Sequence, residues 1–183
     1  MMKTLLIAIG ALAMSSPLAA QYPTRAYFLE ARAGAVVPTF DIADVAKTGG
    51  DLGGTIGYRI GQRLVLMGEF DYGMHKDKVT NSIDIKTLHY MGKIGYSLTA
   101  PRAKGWDFLV NLGAGAVTFD IDGAPKSRTY FAINAGAKLA YNFNSSFALV
   151  LSPQGDIAFS KKAELTTTNA WVWPVTAGLR VRF

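Results

Sequence analysis

Period-two alternation of apolar and polar residues, sustained through eight segments, constrains this chain more than any other feature. Successive side chains of an extended strand point to opposite faces, so alternation marks a sheet with two different environments. In segment 27–37, Tyr27, Leu29, Ala31, Ala33, Ala35 and Val37 share one face, and Phe28, Glu30, Arg32, Gly34 and Val36 the other. The same alternation runs through 52–60, 64–74, 87–98, 106–117, 131–143, 147–159 and 171–183. Strands of soluble proteins usually span about five or six residues. These are closer to the roughly 9–11 residues that a tilted strand needs to cross a bilayer.

The connections alternate as well. Those at 38–51, 75–86, 120–129 and 160–170 are long and polar, and those at 61–63, 99–105 and 144–146 are shorter. An even number of strands with alternating short and long connections predicts an all-β fold, an eight-stranded antiparallel up-and-down transmembrane β-barrel. One face is almost uncharged throughout. The other carries Glu30, Arg32, Arg59, Glu69, Asp71, Lys93, Asp107, Lys138, Asp156, Arg180 and Arg182, with His89 among them. A soluble barrel with an apolar interior and a wet exterior is the alternative, and the aromatics decide against it. On the uncharged face, Tyr27, Tyr58, Tyr96, Trp106, Phe108, Phe143, Phe147 and Phe183 fall at one end of their strands, and Phe70, Tyr72, Phe131, Phe159, Trp171 and Trp173 at the other. Two belts at bilayer spacing are the girdles of a membrane barrel. No other stretch after the N-terminus is apolar for long enough to make a membrane helix.

Residues 1–20 read as a secretory signal peptide. Lys3 supplies a positive start, an apolar run of roughly 11 residues follows, and small residues end at Ala20. The run is too short for a membrane helix, and cleavage after Ala20 leaves 21–183 as one barrel domain. The chain holds no cysteine, which excludes thiol catalysis and cysteine-ligated metal centres. At the other end Thr176, Gly178, Val181 and Phe183 fit a polar-x-Gly-x-x-apolar-x-aromatic pattern.

On these residues the chain resembles the small outer-membrane barrels of Gram-negative bacteria, the OmpA transmembrane-domain and OmpX class. The resemblance spans 21–183. It implies a porin-like outer-membrane protein with both termini in the periplasm, and it makes Thr176, Gly178, Val181 and Phe183 an assembly signal read by the barrel assembly machinery. A peptidoglycan-binding domain beyond the barrel is not part of the match, so tethering to the cell wall is not implied.

The inward charges are nearly balanced in sign. Isolated charges in a narrow lumen are costly, so pairing is expected: Glu69 with Lys93, Glu30 with Arg180, and Asp71 with His89. Inward glycines such as Gly34, Gly57 and Gly136 leave room for long side chains. Pro153 and Pro174 interrupt the last two strands, predicting a bulge at 153–155 and an irregularity at 174. Lys76, Lys78, Lys126, Arg128, Lys161 and Lys162 in the loops are candidate contacts for lipopolysaccharide phosphates. Asp51 and His75 also read as loop residues. Lipid-modifying catalysis would need a nucleophile, base and orienting acid within reach, yet His75 and His89 lack a His-x-Ser pairing. Neither a metal, a cofactor nor nucleic acid is expected, and a monomer is favoured. The reading is a non-enzymatic barrel with a salt-bridged, largely closed lumen, serving envelope structure or surface interaction. A narrow pore and a loop-based adhesin are the alternatives.

Overall fold

Each alternating segment forms a strand, because the extended backbone sends successive side chains to opposite faces and so separates most of the charged side chains from the exposed apolar ones. The computed structural model describes residues 25–78, 85–100, 102–124, 126–161, 165 and 168–183. Residues 1–20, expected to be a signal peptide, and Lys162 lie outside them. The strands are β1 (Tyr27–Thr39), β2 (Gly49–Ile60), β3 (Leu64–His75), β4 (Ile85–Ser97), β5 (Gly105–Ile121), β6 (Arg128–Asn142), β7 (Phe147–Ala158) and β8 (Ala170–Arg182). Each pairs antiparallel with the next, and β1 pairs with β8 to close the barrel. Closure leaves no edge with unpaired backbone groups. The seam is tied at its end by Phe183 N donating to Tyr27 O at 3.0 Å and Tyr27 N donating to Phe183 O at 3.3 Å. The chain ends of the barrel therefore share one end with the short turns, called here the terminal end.

The turn between β2 and β3 is three residues, 61–63, and Gly61 takes φ +62° there. That is the left-handed region glycine enters without a Cβ penalty. At the opposite, loop end the strands run further than their alternation suggests. β5 continues to Ile121 and β6 begins at Arg128. Several residues expected in loops accordingly stand in strands, Asp51, His75 and Arg128 among them. Asp51 and His75 are buried in β2 and β3, and Arg128 is a half-buried residue of β6, in register with Phe119. Polar residues at inward positions read as loop in sequence because nothing local announces that a lumen will receive them.

The expected bulge at 153–155 is absent. Gly136 is in register with Gln154, and Leu139 with Leu151, so the two residues between them on β6 oppose two on β7. Pairing lapses at the intervening positions, where Pro153 supplies no N–H. The side-chain amide of Gln154 instead donates to the carbonyl of Ala137 at 3.0 Å. A Cβ on Gly136 would fall inside that amide, so the glycine makes room for the repair. Around Pro174 the irregularity is real but small: β8 stays in register with β7 on both sides of a gap at 154–155, and Pro174 still opposes Val36 of β1.

Outward, the aromatic residues cluster at both ends. Tyr27 contacts Tyr58 and Phe183, and Trp106, Tyr141 and Phe143 form a chain of rings at the terminal end. Phe70 with Tyr90 and Phe131 with Phe159 lie toward the loop end. Among the described residues no helix is long and apolar enough to cross a membrane.

Candidate functional site in the barrel lumen

The lumen is filled in layers. Every inward position of a strand contributes one side chain, and an eight-stranded barrel is only just wide enough for them. Near the terminal end, Phe28, Val65, Met67 and Leu109 form an apolar cluster. The Phe28 ring lies against Gly57, where a Cβ would fall inside the ring. The guanidinium of Arg180 sits 4.6 Å from the ring centroid, within cation–π range. Beside this cluster Arg59 Nη2 pairs with Asp107 Oδ2 at 3.1 Å. The other Asp107 oxygen accepts from Ser97 Oγ and Thr99 Oγ1, each at 2.9 Å. Arg182 lies half-buried at the mouth and donates to Asn142 Oδ1 at 2.7 Å rather than joining a carboxylate.

The middle layer is ionic, and Glu69 is its hub. Glu69 Oε2 accepts from Arg32 Nη1 at 2.7 Å, Lys138 Nζ at 2.9 Å and Thr55 Oγ1 at 3.0 Å. Its second oxygen pairs with Lys93 Nζ. Glu30 accepts from Lys138 Nζ at 2.6 Å and from Arg180 Nε at 2.7 Å. Asp71 Oδ1 receives Arg32 Nη2 at 2.7 Å. Lys93 also reaches Gln154 Oε1 at 3.1 Å, and Gln154 Nε2 donates to Ser152 Oγ at 3.0 Å. Side chains of Glu30, Arg32, Glu69, Lys93 and Lys138 are buried almost completely. With Arg180, these charges come from five strands, and Thr55 of β2 and Gln154 of β7 join them by hydrogen bonds. Removing one member leaves its partners charged and desolvated, a loss of about 3–5 kcal/mol for a buried pair.

The Glu69–Lys93 and Glu30–Arg180 pairings match those expected from neighbouring strands. The third differs. Asp71 and His89 are in register, yet His89 Nδ1 lies 2.6 Å from Asp156 Oδ2, and Asp71 turns to Arg32. Lys138 of β6 likewise reaches Glu30 and Glu69 on β1 and β3, across the lumen. Such contacts depend on barrel closure, which puts non-adjacent strands face to face, and no pairwise reading of neighbours finds them.

A third layer at the loop end is apolar. Ile42, Ala46, Ile85, Met91, Val117, Phe119, Tyr130, Ala132, Ala158, Leu165 and Ala170 pack together. Ile42 belongs to a single 3-10 turn, Phe40–Asp44, that folds in from the first long connection. That connection is pinned to the next one. Lys47 N donates to Lys76 O at 2.8 Å, Lys78 N to Val45 O at 3.0 Å, and His75 Nδ1 lies 3.0 Å from Lys47 O. A carbonyl only accepts, so His75 carries its proton on Nδ1. This cap was missed in sequence. Its signal was present in the continued alternation of Val117 with Phe119 and of Tyr130 with Ala132. Between cap and ionic layer, Asp51 Oδ2, His75 Nε2, Thr87 Oγ1 and His89 Nε2 are buried without a protein partner. Among the described residues no group of carboxylates and histidines has the arrangement of a metal site.

The candidate loop contacts are dispersed. Lys76, Lys78, Lys126 and Lys161 are exposed at the loop end, while Arg128 is bound within β6. Of the terminal pattern, Val181 and Phe183 face outward. Thr176 is buried toward the lumen, and a Cβ on Gly178 would strike the β1 backbone at Ala31 and Arg32.

A family model of the outer membrane protein beta-barrel domain matches residues 4–183. The chain belongs to that family. Solved structures share the barrel's fold at low sequence identity. Neisserial surface protein A aligns over 86% of this chain and 97% of its own, at 18% identity and a TM-score of 0.62. The outer membrane protein OprG from Pseudomonas aeruginosa aligns over 87% and 97%, at 13% identity and a TM-score of 0.62. The N-terminal β-barrel domain of Pseudomonas aeruginosa OprF aligns over 87% and 98%, at 17% identity and a TM-score of 0.58. A comparison with curated proteins gives no match. The chain thus shares its backbone architecture with these structures.

Proposed function

We propose that this barrel spans the bacterial outer membrane with its lumen closed, and contributes to envelope structure or surface contacts without catalysis. The observation that carries the reading is the ionic layer. Glu69 and Glu30 gather Arg32, Lys93, Lys138 and Arg180 from opposite walls, and the apolar cap lies above them. An ion would have to break several charge-assisted bonds in sequence to pass. A planar-bilayer recording on refolded protein tests this: the expected trace has no large, stable open state. A steady large conductance would replace the closed barrel with a pore.

The short turns and the tied seam at one end support periplasmic termini, since such barrels keep short turns on that side. An epitope inserted at Gly123, in the β5–β6 loop, should be reachable by antibody on intact cells, and one appended after Phe183 should not. Outward-facing Val181 on β8 and Phe183 next to its end suit recognition by the assembly machinery, whereas Thr176 and Gly178 serve the finished barrel's interior. Exposed Lys76, Lys78, Lys126 and Lys161 support contact with lipopolysaccharide phosphates at the loop end, with Lys162 and Arg128 completing the set. Replacing Lys161 and Lys162 together with Ala should weaken lipopolysaccharide binding, and an unchanged affinity removes them from the contact. Against catalysis, His89 is committed to Asp156 and His75 to a backbone carbonyl, so neither is paired with a serine. Incubation with lipid A, followed by mass spectrometry of its acyl chains, should show no change.

A further inference from the structure

The two ends of the barrel differ in charge in a way that neither composition nor the loop lysines reveal. At the loop end signs are mixed: Lys76, Lys78, Lys126 and Lys161 stand among Asp41, Asp44, Asp77, Asp120 and Asp122. At the terminal end, among the described residues, the exposed charged side chains are all cationic: Arg25, Arg63, Arg102 and Lys104, with half-buried Arg182 beside them. The carboxylate at that end, Asp107, is buried and bound to Arg59. Inside the lumen cations and carboxylates nearly cancel. Most of the net charge of +6 therefore forms a rim at the level where a membrane's headgroups begin.

An apolar groove on the outer wall opens toward this rim. It crosses the outward face of β2 to β5, with Tyr27, Tyr58 and Tyr96 toward the terminal end and Ile56, Leu66, Ile94 and Leu112 along its walls. Its volume is about 1320 Å³, ample beside the roughly 300–1,000 Å³ of small-ligand sites. Gly68 and Gly92 floor it and face each other across β3 and β4. Unlike the inward glycines, they are not demanded by packing. A Cβ on Gly68 would come no closer than 3.5 Å to a neighbour, and one on Gly92 no closer than 3.8 Å. Glycine weakens a strand, so these two cost local stability with no return inside the barrel. Arg63 stands at the groove's mouth. Its guanidinium is 5.8 Å from the Tyr96 ring centroid, with Nη1 3.4 Å from the Tyr96 hydroxyl. The β4–β5 connection, which joins two other groove-lining strands, supplies Arg102 and Lys104.

We infer that the terminal end binds an anionic glycerophospholipid, its phosphate on Arg63, Arg102 and Lys104 and an acyl chain in the groove over Gly68 and Gly92. Charge complementarity selects the headgroup, and the apolar walls hold the chain. The inference rests on the membrane-spanning reading above, and places the partner in the leaflet on the terminal side. Each cation near an anionic surface favours the charged lipid by about fivefold.

The test uses the full chain refolded into vesicles of equimolar phosphatidylglycerol and phosphatidylethanolamine, extracted in mild detergent and examined by native mass spectrometry. The expected result is retained phosphatidylglycerol in several-fold excess over phosphatidylethanolamine. The combined variant Arg63→Ala, Arg102→Ala, Lys104→Ala should lose that preference while keeping heat-modifiable gel mobility. Gly68→Leu with Gly92→Leu should fill the groove and lose retained lipid of both kinds, again in a folded barrel. Excess glycerol phosphate should leave the bound lipid in place, because the chain contributes to its hold. Preference unchanged in the cation variant overturns the inference, and so does retention unchanged in the groove variant. If the cation variant instead loses binding to isolated cell-wall sacculi with lipid preference intact, the rim serves an anionic polymer and the lipid site is refuted. Failure to insert into vesicles overturns both this inference and the membrane-spanning reading. Insertion without lipid preference overturns this one alone.

Discussion

Glu69 shows how a single side chain acquires a role from its surroundings. In sequence it is one acidic residue on an alternating face. In the barrel it accepts from Arg32, Lys93, Lys138 and Thr55, so its removal takes a carboxylate from three buried cations, of which Arg32 keeps Asp71 and Lys138 keeps Glu30 while Lys93 keeps the Gln154 amide oxygen. Glu69→Ala should lower unfolding free energy by about 3–5 kcal/mol, read from the urea midpoint of the gel-mobility transition. A loss below about 1 kcal/mol would mean the layer is hydrated and the cations are solvated. Gly57 makes the opposite point. It contributes nothing except the absence of a side chain, and Phe28 lies flat in that space with Arg180 over its ring. Gly57→Val should displace Phe28 and destabilise the barrel by about 1–3 kcal/mol through overpacking. Gly57→Val together with Phe28→Ala should recover part of that loss. The charged members of the lumen other than Asp51 were legible in sequence because alternation put them on the inward face. Their partners were only partly legible. Glu69–Lys93 and Glu30–Arg180 join adjacent strands, whereas His89–Asp156 and Lys138–Glu30 cross the barrel.

At the level of a strand, β7 carries a defect and its repair. Pro153 withholds a donor from the ladder, and Gln154, the next residue, returns one through its side chain to Ala137 O. The register survives without an added residue. Sequence reasoning expected a bulge because it allowed only the backbone to answer a missing N–H. The nearby glutamine and the glycine opposite it, Gly136, were the signs of another solution. Gln154→Leu keeps the size but leaves the carbonyl unpaired, and should cost about 1–3 kcal/mol. Hydrogen exchange should then quicken in β6 around Ala137 and remain slow in β2 and β3. Uniform protection across the sheet would count against a local repair. The extension of β5 and β6 at the loop end has a related cause. Val117, Phe119 and Tyr130 continue the inward alternation to the loop end, and they bury one another under the first long connection.

For the whole molecule the question is what closes the lumen. Two layers are in place, ionic in the middle and apolar at the loop end, and they should not contribute equally. Phe119→Ala with Tyr130→Ala thins the cap but leaves the ionic bonds, so a planar-bilayer recording should stay closed. Glu69→Ala with Lys138→Ala removes an acid and a base together, leaves a cavity through the ionic layer, and should give measurable conductance. Conductance from the first variant and none from the second would make the cap the barrier. The sequence alone determined strand number, the inward and outward face of every strand, the aromatic belts and the end where the short turns lie. All of these follow from period two and turn length, which are local properties. Tertiary structure decided the rest. Closure of β1 on β8 set which charges meet across the lumen, drew the loop connection and Ile42 into a cap, and gathered Arg25, Arg63, Arg102 and Lys104 from separate segments into one rim. Those arrangements depend on distances between residues far apart in the chain, and no periodicity within a strand encodes them.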